Sequence, residues 1–123
     1  MIKVILVEDN FFLKKALEEK LSNFSDIAIK DTAQNGEEAI AILEKNHVVD
    51  LILMDIEMPI MNGIKATEII KSNYPQIKII MITVFDNDDN VFNAIKAGAD
   101  GYLLKETKAE KIYEAIIETL AGG

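Results

Sequence analysis

Val49-Asp50-Leu51-Ile52-Leu53-Met54-Asp55-Ile56-Glu57-Met58-Pro59 is the stretch that decides the reading of this chain. A short apolar run of this kind is consistent with a buried strand, and this one stops at a carboxylate, Asp55. A second apolar run, Ile2 to Val7, ends the same way, in Glu8-Asp9. Nearly continuous apolar strands are what a parallel sheet covered on both faces requires. Open α/β sheets bind ligands outside the C-terminal ends of their strands. Unpaired charge is costly to bury, so acids delivered there need a cation, a proton or solvent.

Working outward from these two runs, strand-like and helix-like segments alternate along the chain. Ile2–Val7, Ile27–Ala33, residues 49–54, residues 77–82 and Gly101–Leu104 read as five strands. Ile27–Ala33 carries Lys30 and Asp31 and reads as an edge, and the short Gly101–Leu104 as the other edge. Between them, Leu13, Ala16, Leu17 and Leu21 recur at helical spacing after Asn10, a cap residue. Asn35 with Glu38 resembles a capping box, opening a second helix whose Ile40 and Leu43 face inward. A third helix is expected from about Gly63 to Ser72, stopping before Pro75. A fourth starts within the acidic stretch 86–89 and ends at Gly98. The last carries Ala109, Ile112, Tyr113, Ile116, Ile117 and Leu120, the cleanest amphipathic stripe. Such alternation predicts right-handed crossovers and one doubly wound α/β domain over residues 1–123.

The totals narrow the function. At 123 residues, half of them apolar, the chain is long enough for one sizeable core. Its net charge of −8 argues against this domain gripping a phosphate backbone. Without cysteine there is no disulfide framework and no thiolate chemistry, which suits a cytoplasmic location. No stretch approaches the roughly 20 apolar residues of a membrane span, so no membrane role is expected. The phosphate loop GxxxxGK[ST] and the dinucleotide fingerprint GxGxxG are both missing. A flavin phosphate at the first loop would meet the charges of Glu8-Asp9.

With strand order 2-1-3-4-5, four elements converge on one end of the sheet. Glu8 and Asp9 follow the first strand, Asp55 ends the third, Thr83 the fourth and Lys105 the fifth. Three clustered carboxylates oppose joint ionisation. A hard divalent cation such as Mg²⁺, which takes oxygen ligands, resolves the conflict. Lys105 and Thr83 add a cation and a hydroxyl, making a site for a transferred phosphoryl group with Asp55 as nucleophile. Taken singly, each residue has an ordinary explanation as a turn, cap or solvated group; their company is what separates them from it.

These residues, with the Leu53-to-Pro59 stretch, Asn62-Gly63 and Ala97-Gly98-Ala99-Asp100-Gly101-Tyr102-Leu103-Leu104-Lys105, strongly resemble the response-regulator receiver family over essentially the whole chain. The resemblance implies a flavodoxin-like receiver fold with five parallel strands in the order 2-1-3-4-5 and five helices. It implies that Asp55 accepts phosphate from a sensor histidine kinase. It also implies that Asp9, Asp55 and the Glu57 backbone carbonyl bind Mg²⁺, Glu8 doing so through water. Thr83 and Lys105 would hold the phosphoryl oxygens, and Tyr102 would turn inward as Thr83 moves. The implied output is a phosphorylation-dependent homodimer or an altered partner face, with autodephosphorylation rather than conventional turnover. The Gly-Tyr-Leu-Leu-Lys-Glu ending resembles the NarL/FixJ-type branch, whose members usually carry a C-terminal LuxR-type helix-turn-helix domain. DNA binding would then belong to an output domain beyond this chain.

Departures from the family pattern matter too. Glu106 stands where many receivers have proline, so a trans Lys105–Glu106 bond is expected. Val84 follows Thr83 where a smaller residue is common and would narrow access. Phe85 is expected to shield the acyl phosphate from water, with the Glu57 charge opposing it. Phe11 and Phe12 flank the acids, and one of them is expected in the core. Two other functions fit parts of the pattern. Asp55-Ile56-Glu57 faintly echoes the Asp-x-Asp of haloacid-dehalogenase-type phosphatases, although that signature belongs on a first strand. An unphosphorylated docking module is the third reading.

Overall fold

Successive side chains of a strand point to opposite faces, and in this sheet both faces are filled. The computed structural model describes residues 1–84 and 87–122. In chain order it contains β1 (Ile2–Val7), α1 (Phe11–Leu21), β2 (Ile27–Ala33), α2 (Gly36–Lys45) and β3 (Leu51–Met54). There follow α3 (Gly63–Asn73), β4 (Lys78–Thr83), α4 (Asp88–Ala97), β5 (Gly101–Leu104) and α5 (Ala109–Leu120). The strands form one parallel sheet in the order β2-β1-β3-β4-β5, as expected.

Alternation divides the core in two. Ile5, Val7, Ile52, Met54, Ile79 and Met81 point to the face covered by α2, α3 and α4, where Ala39, Leu43, Ala66, Ile70 and Ala94 meet them. Val4, Leu6, Leu51, Leu53, Ile80 and Ile82 point the other way, onto Leu17 and Leu21 of α1 and Ile112 and Ile116 of α5. At about 25 cal/mol per Å² of buried apolar surface, these two layers supply most of the drive to fold. The edge strand β2 slips register against β1 between Val4 and Ile5, with Ile29 and Asp31 as successive partners and Lys30 the extra residue. A bulged, charged edge discourages pairing with other chains.

Local chemistry explains the helix starts. Asn10, Asn35, Asn62 and Asn87 each present a side-chain oxygen to the first free N–H groups of α1, α2, α3 and α4. The expected capping box is offset by one residue: Asn35 accepts from the Glu38 N–H at 2.9 Å, but Glu38 reaches back to the Gln34 N–H at 3.1 Å. Gly98, with φ +105°, caps α4 in the left-handed conformation that side chains disfavour.

Small corrections have clear causes. β3 begins at Leu51 rather than 49, because Val49 N–H turns back to the His47 carbonyl and the Asp50 carboxylate accepts from Lys3 N–H. β4 runs one residue later than expected, and α3 extends to Asn73. Neither Phe11 nor Phe12 is core: they are 58% and 79% exposed and pack edge-to-face on each other. On α4, Phe92 and Ile95 are exposed because Ala94 and Ala97 take the inward face. Ala16 is likewise exposed, leaving Leu17 and Leu21 to anchor α1. No helix among the described residues is long and apolar enough to cross a membrane.

Candidate functional site

Parallel pairing sets β1 and β3 side by side with Val7 opposite Met54, so the residues that follow them meet at one rim. The Asp55 N–H donates to the Val7 carbonyl at 3.0 Å, and the Glu8 N–H to Ala33 at 2.9 Å. Glu8, Asp9 and Asp55 each place a carboxylate oxygen within 4.8 Å of the others. Glu8 and Asp55 are buried and Asp9 is exposed, so the group opens to solvent on one side.

From the opposite edge, β5 delivers Lys105. Its ammonium donates to Asp55 Oδ2 at 2.9 Å and to Glu8 Oε1. Each remaining carboxylate oxygen of this pair has a backbone donor: Asn10 N–H to Glu8 Oε2 at 3.0 Å and Ile56 N–H to Asp55 Oδ1 at 2.8 Å. Burial pushes the Glu8 carboxyl above its ordinary value, and the Asp55 charge adds to the rise. The bonds from Lys105 and the Asn10 N–H pull it back. One ammonium among three carboxylates leaves the rim net negative. An all-oxygen, net-negative donor set of this kind fits a hard divalent cation.

Thr83 is fully buried at the end of β4, opposite Leu104 in the ladder, and its carbonyl accepts from the Lys105 N–H at 2.9 Å. Tyr102, opposite Met81, is half-buried against the core beneath α2, α3 and α4. Val84 is exposed, and with Thr83, Leu104, Lys105 and Glu106 it lines a pocket of about 110 Å³. At ~30 Å³ per water this has room for a few waters or one small tetrahedral group. A wider groove of about 470 Å³ runs beside β2 and α2 along Lys30, Asp31 and Lys45, and contains none of the converging groups. No peptide bond among the described residues is cis, so Lys105–Glu106 is trans as expected. Phe85, expected to shield the site, lies outside the described residues, as does Asp86.

The loop after Asp55 is built by close approach. A side chain at Gly63 would place its Cβ 2.0 Å from the Asp55 carbonyl oxygen, so only glycine lets α3 start against this backbone. Gly63 N–H donates to the Ile56 carbonyl at 2.8 Å. Between them, Met61 N–H donates to Pro59 at 2.7 Å around Ile60, whose φ is +69°. That is a γ-turn of the strained, positive-φ kind. Glu57 is exposed within this loop; Met58 and Met61 are half-buried against the core, filling space.

The rim therefore gathers Glu8, Asp9, Asp55, Thr83 and Lys105 as expected, with Glu57 in the adjoining loop. Lys20 escaped the sequence reading. It is a basic residue in the last turn of α1, which a helix C-terminus favours anyway. In the fold its ammonium crosses to the backbone of the loop after β5.

The family model for the response regulator receiver domain matches residues 4–117. The chain is 42% identical over 123 residues to the response regulator protein VraR of Staphylococcus aureus, covering 98% of this chain and 57% of that protein. It is 36% identical over 123 residues to the transcriptional regulatory protein LnrK of Bacillus subtilis, covering 100% of this chain and 56% of that protein. It thus spans a little over half the length of these relatives. Among solved structures, the signal receiver domain of a NarL response regulator from Mycobacterium tuberculosis superposes with TM-score 0.92 at 24% identity, covering 99% and 98% of the two chains. A LuxR-family DNA-binding response regulator from Staphylococcus aureus gives TM-score 0.90 at 28% identity, covering 98% and 99%.

Proposed function

Since this chain belongs to the response regulator receiver domain family, with relatives supporting its NarL-type branch, we propose that Asp55 is the phosphoacceptor of a two-component signalling switch. The observation that carries the reading is the buried Asp55 carboxylate, hydrogen-bonded by Lys105 and flanked by Glu8 and Asp9. In the transfer, an Asp55 carboxylate oxygen forms a bond to phosphorus while the N–P bond of a kinase phosphohistidine breaks. The electron pair and, after protonation, the proton stay with the imidazole. Water later attacks phosphorus and releases inorganic phosphate, restoring the carboxylate.

Asp9, Asp55 and the Glu57 carbonyl would hold Mg²⁺, with Glu8 engaged through water. When bound, the ion offsets charge on the phosphoryl oxygens. The Lys105 ammonium is placed to receive one phosphoryl oxygen and the Thr83 hydroxyl another. Movement of Thr83 toward that oxygen would draw Tyr102 further into the core beneath α4 and reshape the face formed by α4, β5 and α5. This is a two-state equilibrium biased by local charge. Exposed Phe92 and Ile95 make that face suited to a phosphorylation-dependent homodimer or a partner. Binding to DNA would come through an output domain, and the location would be cytoplasmic. The phosphatase alternative has little support, because Asp55 ends β3 rather than a first strand. The intact acid, Thr and Lys set weighs against an unphosphorylated docking module.

The test is intact mass after incubation with acetyl phosphate and Mg²⁺. Wild type should gain one phosphoryl group and Asp55→Asn none. Equal labelling of both would place the acceptor elsewhere, and steady turnover of phosphomonoesters would restore the phosphatase reading.

A further inference from the structure

We infer that Lys20 is a positioning residue for Lys105: its ammonium fixes the loop between β5 and α5 and so sets the anchor from which the Lys105 side chain reaches. The inference rests on the role assigned to Lys105 above. Lys20 Nζ donates to the Lys105 carbonyl at 3.0 Å and to the Thr107 carbonyl at 2.9 Å, both bonds partly buried. A lysine at a helix C-terminus is ordinarily explained by the carbonyls of its own helix. Here the two acceptors lie 85 and 87 residues away, on another element.

Lys105 is consequently held from three directions. Its N–H donates to the Thr83 carbonyl at 2.9 Å, its carbonyl accepts from Lys20, and its ammonium bridges Glu8 and Asp55. The turn itself has modest local support: Thr107 N–H bonds Leu104 at 3.0 Å, and Lys108, which precedes α5, makes no side-chain cap bond. Charge-assisted bonds are about twice as strong as neutral ones, so the two Lys20 bonds tie this turn firmly to α1. Without it, two carbonyls lose their donor and the Lys105 backbone is free to drift. An ammonium that must meet a phosphoryl oxygen is sensitive to such drift, because ~1 Å of misplacement can cost up to ~10²-fold in rate.

The experiment is a cycle of phosphorylation rates from acetyl phosphate in saturating Mg²⁺, followed by intact mass on the whole chain. It compares wild type, Lys20→Met, Lys20→Arg, Lys105→Met and the Lys20→Met/Lys105→Met pair, each melting cooperatively above the assay temperature. Lys20→Met should slow labelling about tenfold. Lys20→Arg, still able to donate to both carbonyls, should recover most of the rate. Lys20→Met should add nothing in the Lys105→Met background. If Lys20→Met does not fold, Lys20→Gln, which is one atom shorter and uncharged but still polar, takes its place in both backgrounds. Equal slowing in both backgrounds, or none in wild type, overturns the inference and leaves the Lys105 role standing. Wild-type labelling by Lys105→Met overturns that role, and the inference with it.

Discussion

Lys105 and Asp55, 50 residues apart in sequence, meet through a 2.9 Å hydrogen bond with their side chains only 7% and 8% exposed. The same ammonium serves Glu8, so one positive charge answers two buried carboxylates while Asp9 adds a third negative charge beside them. The site is under-neutralised by its own side chains.

Asp55→Asn removes one of the crowded charges and leaves Lys105 on Glu8. In metal-free, low-salt buffer the variant should be more stable by about 1 kcal/mol, a melting rise of a few degrees. Calorimetry with a chelator checks it. A lower melting temperature would mean that the Lys105–Asp55 attraction outweighs the repulsion.

Mg²⁺ should raise the melting temperature of the wild type, since a ligand that binds only the native state adds ~2.7 kcal/mol at a hundred times its dissociation constant. Asp9→Asn should lose most of that gain. Titration calorimetry on the two proteins provides the measurement, and equal affinities would remove Asp9 from the ligand set.

Ile60 is a β-branched residue at φ +69° with 79% of its surface exposed. Such a strained positive-φ backbone costs a non-glycine residue on the order of 1–2 kcal/mol, partly offset in glycine by about 0.5–1 kcal/mol of extra unfolded-state entropy. Ile60→Gly should therefore stabilise the protein by up to about 1 kcal/mol in urea unfolding. A destabilised variant would show that the Ile60 side chain contributes more by packing than the strain costs.

Asp100 closes a network joining α3 to the start of β4. Its Oδ2 accepts from Lys71 Nζ at 3.0 Å and Ile79 N–H at 2.9 Å, while Lys71 also donates to Pro75 and Ile77. Asp100→Ala leaves the Ile79 N–H without this acceptor, a loss of about 1–3 kcal/mol. Chemical denaturation should register it. A change below a few tenths of a kcal/mol would mean that water replaces the carboxylate.

Tyr113 O–H donates to Asp26 at 2.5 Å, and its ring stacks on Phe24 at 4.2 Å. That hydrogen bond holds the phenol above its ordinary value, with burial and the Asp26 charge adding to the shift. A raised folded value means the native state keeps the proton longer. Its stabilising contribution is complete below the unfolded phenol value near 10 and fades as pH rises through the higher folded value. Tyr113→Phe should flatten that alkaline decline while keeping the stack, as stability measured from pH 8 to 11 would reveal. Parallel curves for the two proteins would assign the decline to other groups.

Much of this is legible in the sequence. Apolar runs flanked by caps and glycines marked all five strands, and Asn10 and Asn35 marked the first two helix starts, because these signals are local; the Asn62 and Asn87 caps emerged only from the structure. Exposure on α1 departs from expectation because Phe11 and Phe12 are core-type residues by hydropathy alone, as Phe92 and Ile95 are on α4. Only packing shows that Leu17, Leu21, Ala94 and Ala97 already fill the inward positions.

By itself the sequence determined the alternation of strand and helix, and with it the delivery of acids to the ends of β1 and β3. Both follow from side-chain period and the cost of burying charge. Only the tertiary structure decided that one ammonium bridges Glu8 and Asp55, that Ile60 is wound into a γ-turn, and that Lys20 holds the turn carrying Lys105. Those contacts span up to 97 residues and depend on strand register and helix placement, which local patterns along a chain do not encode.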